Sequence, residues 1–168
     1  MHVLIIVLRF LHIVSGAVWL GSAVIMIFFV GPTAAAMGDA GPKFMGHLVT
    51  HKKVSVFISA MAGLTVLAGA SLFWIDSEGL TSAWMHSGPG TVFTIGAVFG
   101  LIGFIFGIQG GVNVKKMTEL GSQIQGKPTD EQMALMQSLQ KKAQTAGPIG
   151  AYAILISAVC MSVARYWF

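Results

Sequence analysis

RFLHIVSGAVWLGSAVIMIFFVGP, Arg9 to Pro32, decides the fold. Together with the preceding MHVLIIVL it forms an apolar run in which Val3–Val30 reads as one helix. About twenty apolar residues cross the hydrocarbon core of a bilayer. The run shows no polar face, which excludes an amphipathic helix lying on a soluble core. Inside it stand two ionisable groups, Arg9 and His12. A charged side chain at membrane depth costs roughly 2.5–3.5 kcal/mol on insertion scales, so such groups are expected to face the bundle interior and to serve a function. At 3.6 residues per turn, Arg9, His12, Gly16, Trp19 and Ala23 share one face. Two readings follow. Gly16 can leave room beside His12 for a flat cofactor or a metal. Alternatively it lets a neighbouring helix approach, and His12 bonds to that helix.

The rest of the chain agrees with a membrane protein. Of 168 residues, 55% are hydrophobic and 10% charged, against roughly 25% charged in soluble domains. The expectation is an all-α integral membrane four-helix bundle, a single transmembrane domain over residues 1–168, with no separate soluble catalytic module. The single cysteine, Cys160, excludes an internal disulfide framework and a cysteine-based zinc or iron–sulfur site. The net charge of +4 is clustered in loops, so it speaks for topology rather than nucleic-acid binding. The N-terminus lacks a basic segment before its apolar run, and the run is too long for a signal peptide, so it is expected to remain in the mature protein.

In chain order, the first span is expected to stop at Gly31-Pro32, where proline ends the hydrogen-bond ladder. Thr33 to Gly41 reads as turn, and Pro42 opens a second helix at its first position. The second span covers His51–Ile75, with helical spacing reaching back to His47. His47, His51, Ser55, Ser59 and Gly63 recur every four residues as a polar and small stripe. A loop from Asp76 to Pro89 carries His86 and leads to the third span, Thr91–Val114. There Gly96, Gly100, Gly103, Gly107 and Gly111 allow close helix packing or leave a slot for a planar cofactor. Thr129-Asp130-Glu131-Gln132 forms a capping box that starts a short cytoplasmic amphipathic helix, Asp130–Ala143, at the membrane surface. The last span is Ile149–Trp167.

Lys43, Lys52 and Lys53 flank the first loop, and Lys115, Lys116, Lys127, Lys141 and Lys142 fill the third. The second loop has only Asp76 and Glu78. Lysine-rich loops stay in the cytoplasm, which places both termini outside and Trp74, Trp84, Tyr166 and Trp167 in an outer aromatic belt. Arg9 and His12 then lie in the outer half of the first span. Arg165 lies at the same end of the last, with Met161 one turn below. This set suits a b-type haem, with His12 on iron and Arg9 and Arg165 at the propionates. Met161 or His86 can complete the coordination, or the iron stays five-coordinate. Arginine snorkelling to the interface is the alternative for Arg165. His51 is separated from His12 along the membrane normal by roughly 27 Å at 1.5 Å per residue. The inner pair His47 and His51 therefore forms either a second metal site or a pair of solvated interface histidines.

His12-x3-Gly16-x2-Trp19-x-Gly21 in an N-terminal span resembles the opening of CopD-like bacterial membrane proteins. More distantly it is similar to the HemJ type of protoporphyrinogen oxidase, a four-helix haem-binding membrane protein. The closing MSVARYWF resembles the end of small membrane proteins related to CopD. HemJ-type proteins follow the first helix with a Pro-Arg-aromatic-His segment, whereas this chain has Phe28-Phe29-Val30-Gly31-Pro32. CopD proteins have more spans or a fused copper-binding domain. The resemblance implies His12 as a haem or metal ligand. The function expected is a membrane haem b protein transferring electrons in the bacterial inner membrane, a possible oxidoreductase working with quinone. Ten methionines and the histidines make copper transport or handling the second reading. A non-catalytic accessory subunit of a larger membrane complex, or a homo-oligomer, is the third.

Overall fold

The computed structural model describes residues 2–124 and 126–167. Among the described residues every element is helical: α1 (His2–Ile25), α2 (Gly31–Ala36), α3 (Ala40–Gly46), α4 (Val54–Asp76), α5 (Gly88–Gln123) and α6 (Asp130–Val163). Four helical segments are long and apolar enough to cross a membrane: His2–Ala36, Val54–Asp76, Gly88–Gln123 and Asp130–Tyr166. Their outer surface is apolar. Ile6, Phe10 and Ile13 on α1 are 66%, 63% and 65% exposed, a pattern that water would penalise and lipid would not.

α1 does not stop at Gly31-Pro32. It runs through a widened turn, Met26–Val30, in which the Gly31 N–H donates to the Met26 carbonyl five residues back, and continues as α2. A proline ring crowds the carbonyl four residues before it and brings no donor. The extra residue in the turn absorbs that conflict, as wide turns inside helices do. Pro32 then occupies the first turn of α2, where no donor is needed. The stretch read as turn is thus helix as far as Ala36, and Pro42 falls within the first turn of α3.

The polar stripe of the second span is also corrected. His47–His51 forms another widened turn, closed by Lys52 N–H to the His47 carbonyl. Lys53 then adopts φ 53°, and α4 starts afresh at Val54. His47 and His51 therefore lie on a different helical segment from Ser55, Ser59 and Gly63.

The largest difference is at the lysine-rich end. There is no separate surface helix over Asp130–Ala143: those residues are the first part of α6, which passes through Gly147-Pro148 without a break. α5 likewise continues past Val114 to Gln123. At 1.5 Å per residue, the 36 residues of α5 span about 54 Å, well over the roughly 30 Å hydrocarbon core. The capping box at the start of α6 forms as expected. Gln132 N–H donates to Thr129 Oγ1 at 3.2 Å, and Thr129 N–H donates to Gln132 Oε1 at 2.9 Å. The last helix ends in a tight turn, Ala164–Tyr166.

The helices pack as two antiparallel pairs, α1 with α4 and α5 with α6. α6 continues unbroken through Pro148, where α5 meets it at glycines. A Cβ on Gly150 would lie 3.1 Å from Gly107 N, and one on Gly103 would lie 2.5 Å from Ile154 Cγ1. Ser157 Oγ donates to the Gly96 carbonyl at 2.7 Å across the same seam. Between helices in lipid, close packing of small residues replaces the hydrophobic drive available in water. In the glycine stripe the Cβ positions of Gly96, Gly100 and Gly103 face α6, while those of Gly107 and Gly111 face open space and Gly107 meets α6 with its main chain. The pairs meet at mid-depth around Trp19, Ala62 and Ile154.

Candidate functional site

His12 lies on the face of α1 that packs against α4. Its Nδ1 is 2.8 Å from the main-chain carbonyl of Thr65. A carbonyl only accepts, so Nδ1 carries the hydrogen and donates it. In the neutral form of the ring, Nε2 is then the nitrogen without a hydrogen. Its lone pair can accept a hydrogen bond or bind a metal. A second-sphere bond of this kind, from the far ring nitrogen to a carbonyl, is what orients a ligating histidine and fixes its tautomer.

The ring fits because residue 69 is glycine. A Cβ there would stand 2.7 Å from His12 Cε1 and 2.8 Å from Nδ1. One turn along α1, Ser15 is 2% exposed and meets Thr65 again. Thr65 Oγ1 is 2.8 Å from Ser15 Oγ and 2.7 Å from the Met61 carbonyl, and Ser15 Oγ donates to the Leu11 carbonyl. Gly16 completes the contact: its missing side chain leaves room for Thr65 Cγ2, which would be 3.3 Å from a Cβ. The space beside Gly16 is therefore filled by Thr65, and the notch that receives the imidazole is made by Gly69.

The other residues named from the sequence are distributed as follows. Trp19 is buried at 5% exposure and meets Phe104 edge-on at 6.3 Å, tying the first helix pair to the second. Arg9 is exposed at the edge of the inward face, and Arg165 is exposed in the C-terminal turn. Among the described residues the ion pair present is Lys115–Glu119 at 3.6 Å, so neither arginine is engaged by a carboxylate. Met161 is half-buried and packs on α5, where a Cβ on Gly96 would lie 3.2 Å from its Cε. His86 is exposed on the tight turn Ala83–His86, which packs on α5. His47 and His51 are exposed and stack on each other, with ring centroids 4.9 Å apart and planes 26° apart. Among the described residues no three His, Cys, Asp or Glu side chains gather as a metal site.

Ser15, Thr65 and Gly69 were not singled out in the sequence. The signal was there in part. Ser15 is three residues from His12, and Thr65-x3-Gly69 puts a hydroxyl and a gap on one face of the second span.

Comparison with family models, with curated proteins and with solved structures finds no match to this chain.

Proposed function

We propose that the chain is a multi-pass protein of the bacterial inner membrane that holds a b-type haem through His12 and passes electrons in a membrane redox system. The single observation carrying this reading is the Nδ1–Thr65 carbonyl bond, which leaves Nε2 of a membrane-depth histidine free as a ligand. Bound haem would supply one-electron chemistry. His12 would hold it, and Arg9 and Arg165, neither paired with a carboxylate among the described residues, would be available to its propionates. For a second ligand, Met161 packs on α5 and His86 is exposed on a turn against α5, whereas the His12 ring lies on α4. The likeness to CopD-like and HemJ-type proteins rests on the short His12–Gly21 motif and, for the CopD-like proteins, on the closing MSVARYWF. Copper handling would rest on the methionines and histidines, and among the described residues no three His, Cys, Asp or Glu side chains gather to add to it. Quinone and an outer-side protein are the proposed electron partners, and both termini are proposed to lie outside because the lysines gather at the opposite end of the helices.

A second reading is favoured by the same contact. The chain His12–Thr65–Ser15, with Gly16 and Gly69 admitting close approach, makes a complete interhelical lock by itself. In that reading the protein is a non-catalytic accessory subunit and His12 is helix glue. An absorption spectrum separates the two. Protein purified from cells supplied with haem is expected to show a Soret band, and His12→Ala to abolish it while the protein stays in the membrane fraction. Wild-type protein without that band overturns the haem reading and leaves the lock.

A further inference from the structure

A groove of about 630 Å³ opens between α5 and α6 at their lysine-rich ends, far from His12. One wall is apolar and carries Ile108 and Val112, which are 38% and 44% exposed. Gln109 and Asn113 stand beside these two on α5, and Lys141 and Lys142 line the groove from α6. Both lysines are exposed and belong to α6, whose apolar segment begins at Ile149, so they stand about 10 Å below it at 1.5 Å per residue. That distance puts their ammonium groups at headgroup depth when the apolar segment lies in a bilayer core. Among the described residues no carboxylate pairs with either lysine, and no hydrogen bond within the chain engages the two amides.

We propose that this groove is a binding site for an anionic phospholipid of the cytoplasmic leaflet. Lys141 and Lys142 take the phosphate charge, Gln109 and Asn113 donate hydrogen bonds to headgroup oxygens, and Ile108 and Val112 receive the first part of an acyl chain. The occupant follows from the groove's two-part chemistry. A soluble anion would use the basic end and leave the apolar wall unmet. A neutral lipid would use the wall and leave two adjacent positive charges uncompensated. Basic recesses between helices at the inner interface select acidic headgroups for this reason. The proposal rests on the chain spanning a membrane and is independent of haem.

The test is native mass spectrometry of the detergent-purified full chain, titrated with phosphatidylglycerol, phosphatidylcholine or inorganic phosphate. Recovery of the protein in the membrane fraction is scored first, so failure of the membrane reading is seen separately. Phosphatidylglycerol is expected to remain bound through delipidation that strips phosphatidylcholine. Each basic side chain near an anionic headgroup is worth about fivefold, so Lys141→Gln with Lys142→Gln should weaken phosphatidylglycerol roughly twenty-fivefold. The Lys141→Arg, Lys142→Arg pair should keep it, which separates lost charge from misfolding. Equal retention of both lipids, an unchanged affinity in the glutamine variant, or competition by millimolar inorganic phosphate as effective as lipid would each overturn the proposal.

Discussion

The imidazole of His12 occupies the place where a side chain on Gly69 would stand, with Cε1 only 2.7 Å from that position. Two effects oppose each other when Gly69 becomes alanine. Helix propensity favours alanine by about 1 kcal/mol. Overpacking a close contact costs about 1–3 kcal/mol, and the ring can leave only by giving up the Thr65 carbonyl. Gly69→Ala is therefore expected to be net destabilising by about 1 kcal/mol in thermal unfolding. Gly63→Ala on the same helix, where a Cβ meets nothing within 4 Å, is the control and should be neutral or stabilising. Equal melting temperatures for the two variants would show that His12 is not held in the notch.

Thr65 acts on His12 through its main chain and on Ser15 through its side chain. Thr65→Val keeps the branched shape and removes only the hydroxyl. Interhelical polar contacts in bilayers average about 0.6 kcal/mol, so a loss of about 0.5–1 kcal/mol is expected. The histidine bond should survive, because its acceptor is a backbone oxygen. In the haem-binding reading the Soret band of Thr65→Val is therefore unchanged, whereas Gly69→Ala weakens it. A Thr65→Val protein that loses the band while remaining folded would place the hydroxyl, not the carbonyl, in control of His12.

Those two residues also mark how far the sequence could be read. Span number and the capping box at Thr129 were legible because each depends on local composition: apolar length in one case, side chains three residues apart in the other. The inward face of α1 was legible from its period, which placed His12 and Trp19 correctly but put the exposed Arg9 with them. The partner of His12 was not legible. Thr65 is 53 residues away and contributes a backbone carbonyl, which every residue possesses. Gly147-Pro148 was misread for a related reason. A proline inside a helix sacrifices one hydrogen bond, and only the pairing of Gly147 and Gly150 with α5, a tertiary contact, makes continuation favourable. Lys52-Lys53 interrupts the His47–Gly63 stripe because Lys53 takes a left-handed backbone conformation, for which lysine carries no sequence signature.

The glycines of the α5–α6 seam give opposing expectations within one helix pair. A methyl on Gly150 would press on main-chain atoms of α5, with Gly107 N at 3.1 Å and Gly103 O at 3.4 Å, and main chain cannot swing aside as a side chain can. Gly150→Ala is expected to lower stability by about 1–3 kcal/mol despite its helix propensity. Gly107 faces the other way, with nothing within 4 Å of its own Cβ position. Gly107→Ala should be neutral or raise stability by up to about 1 kcal/mol. Thermal unfolding of the two variants in the same detergent checks the pair. A stabilised Gly150→Ala would mean that α5 and α6 do not approach at this point.

His47 and His51 test whether spacing alone makes a metal site. Residues four apart on a helix can clamp a metal when both ring nitrogens converge on it, at about 2.0–2.1 Å each for zinc. Here the rings lie nearly parallel, 4.9 Å between centroids. Metals bind in the plane of an imidazole, so two stacked rings direct their lone pairs along nearly parallel lines that do not meet. No third His, Cys, Asp or Glu among the described residues joins them. Both rings are exposed, so separating them to bind a metal would sacrifice their stacking without gaining a buried site. His51→Ala is therefore expected to leave the metal content of the purified protein unchanged by elemental analysis, and its thermal stability within about 0.5 kcal/mol, as for other surface substitutions. A stoichiometric metal present in the wild type and lost in His51→Ala would show instead that the two side chains re-orient to ligate it.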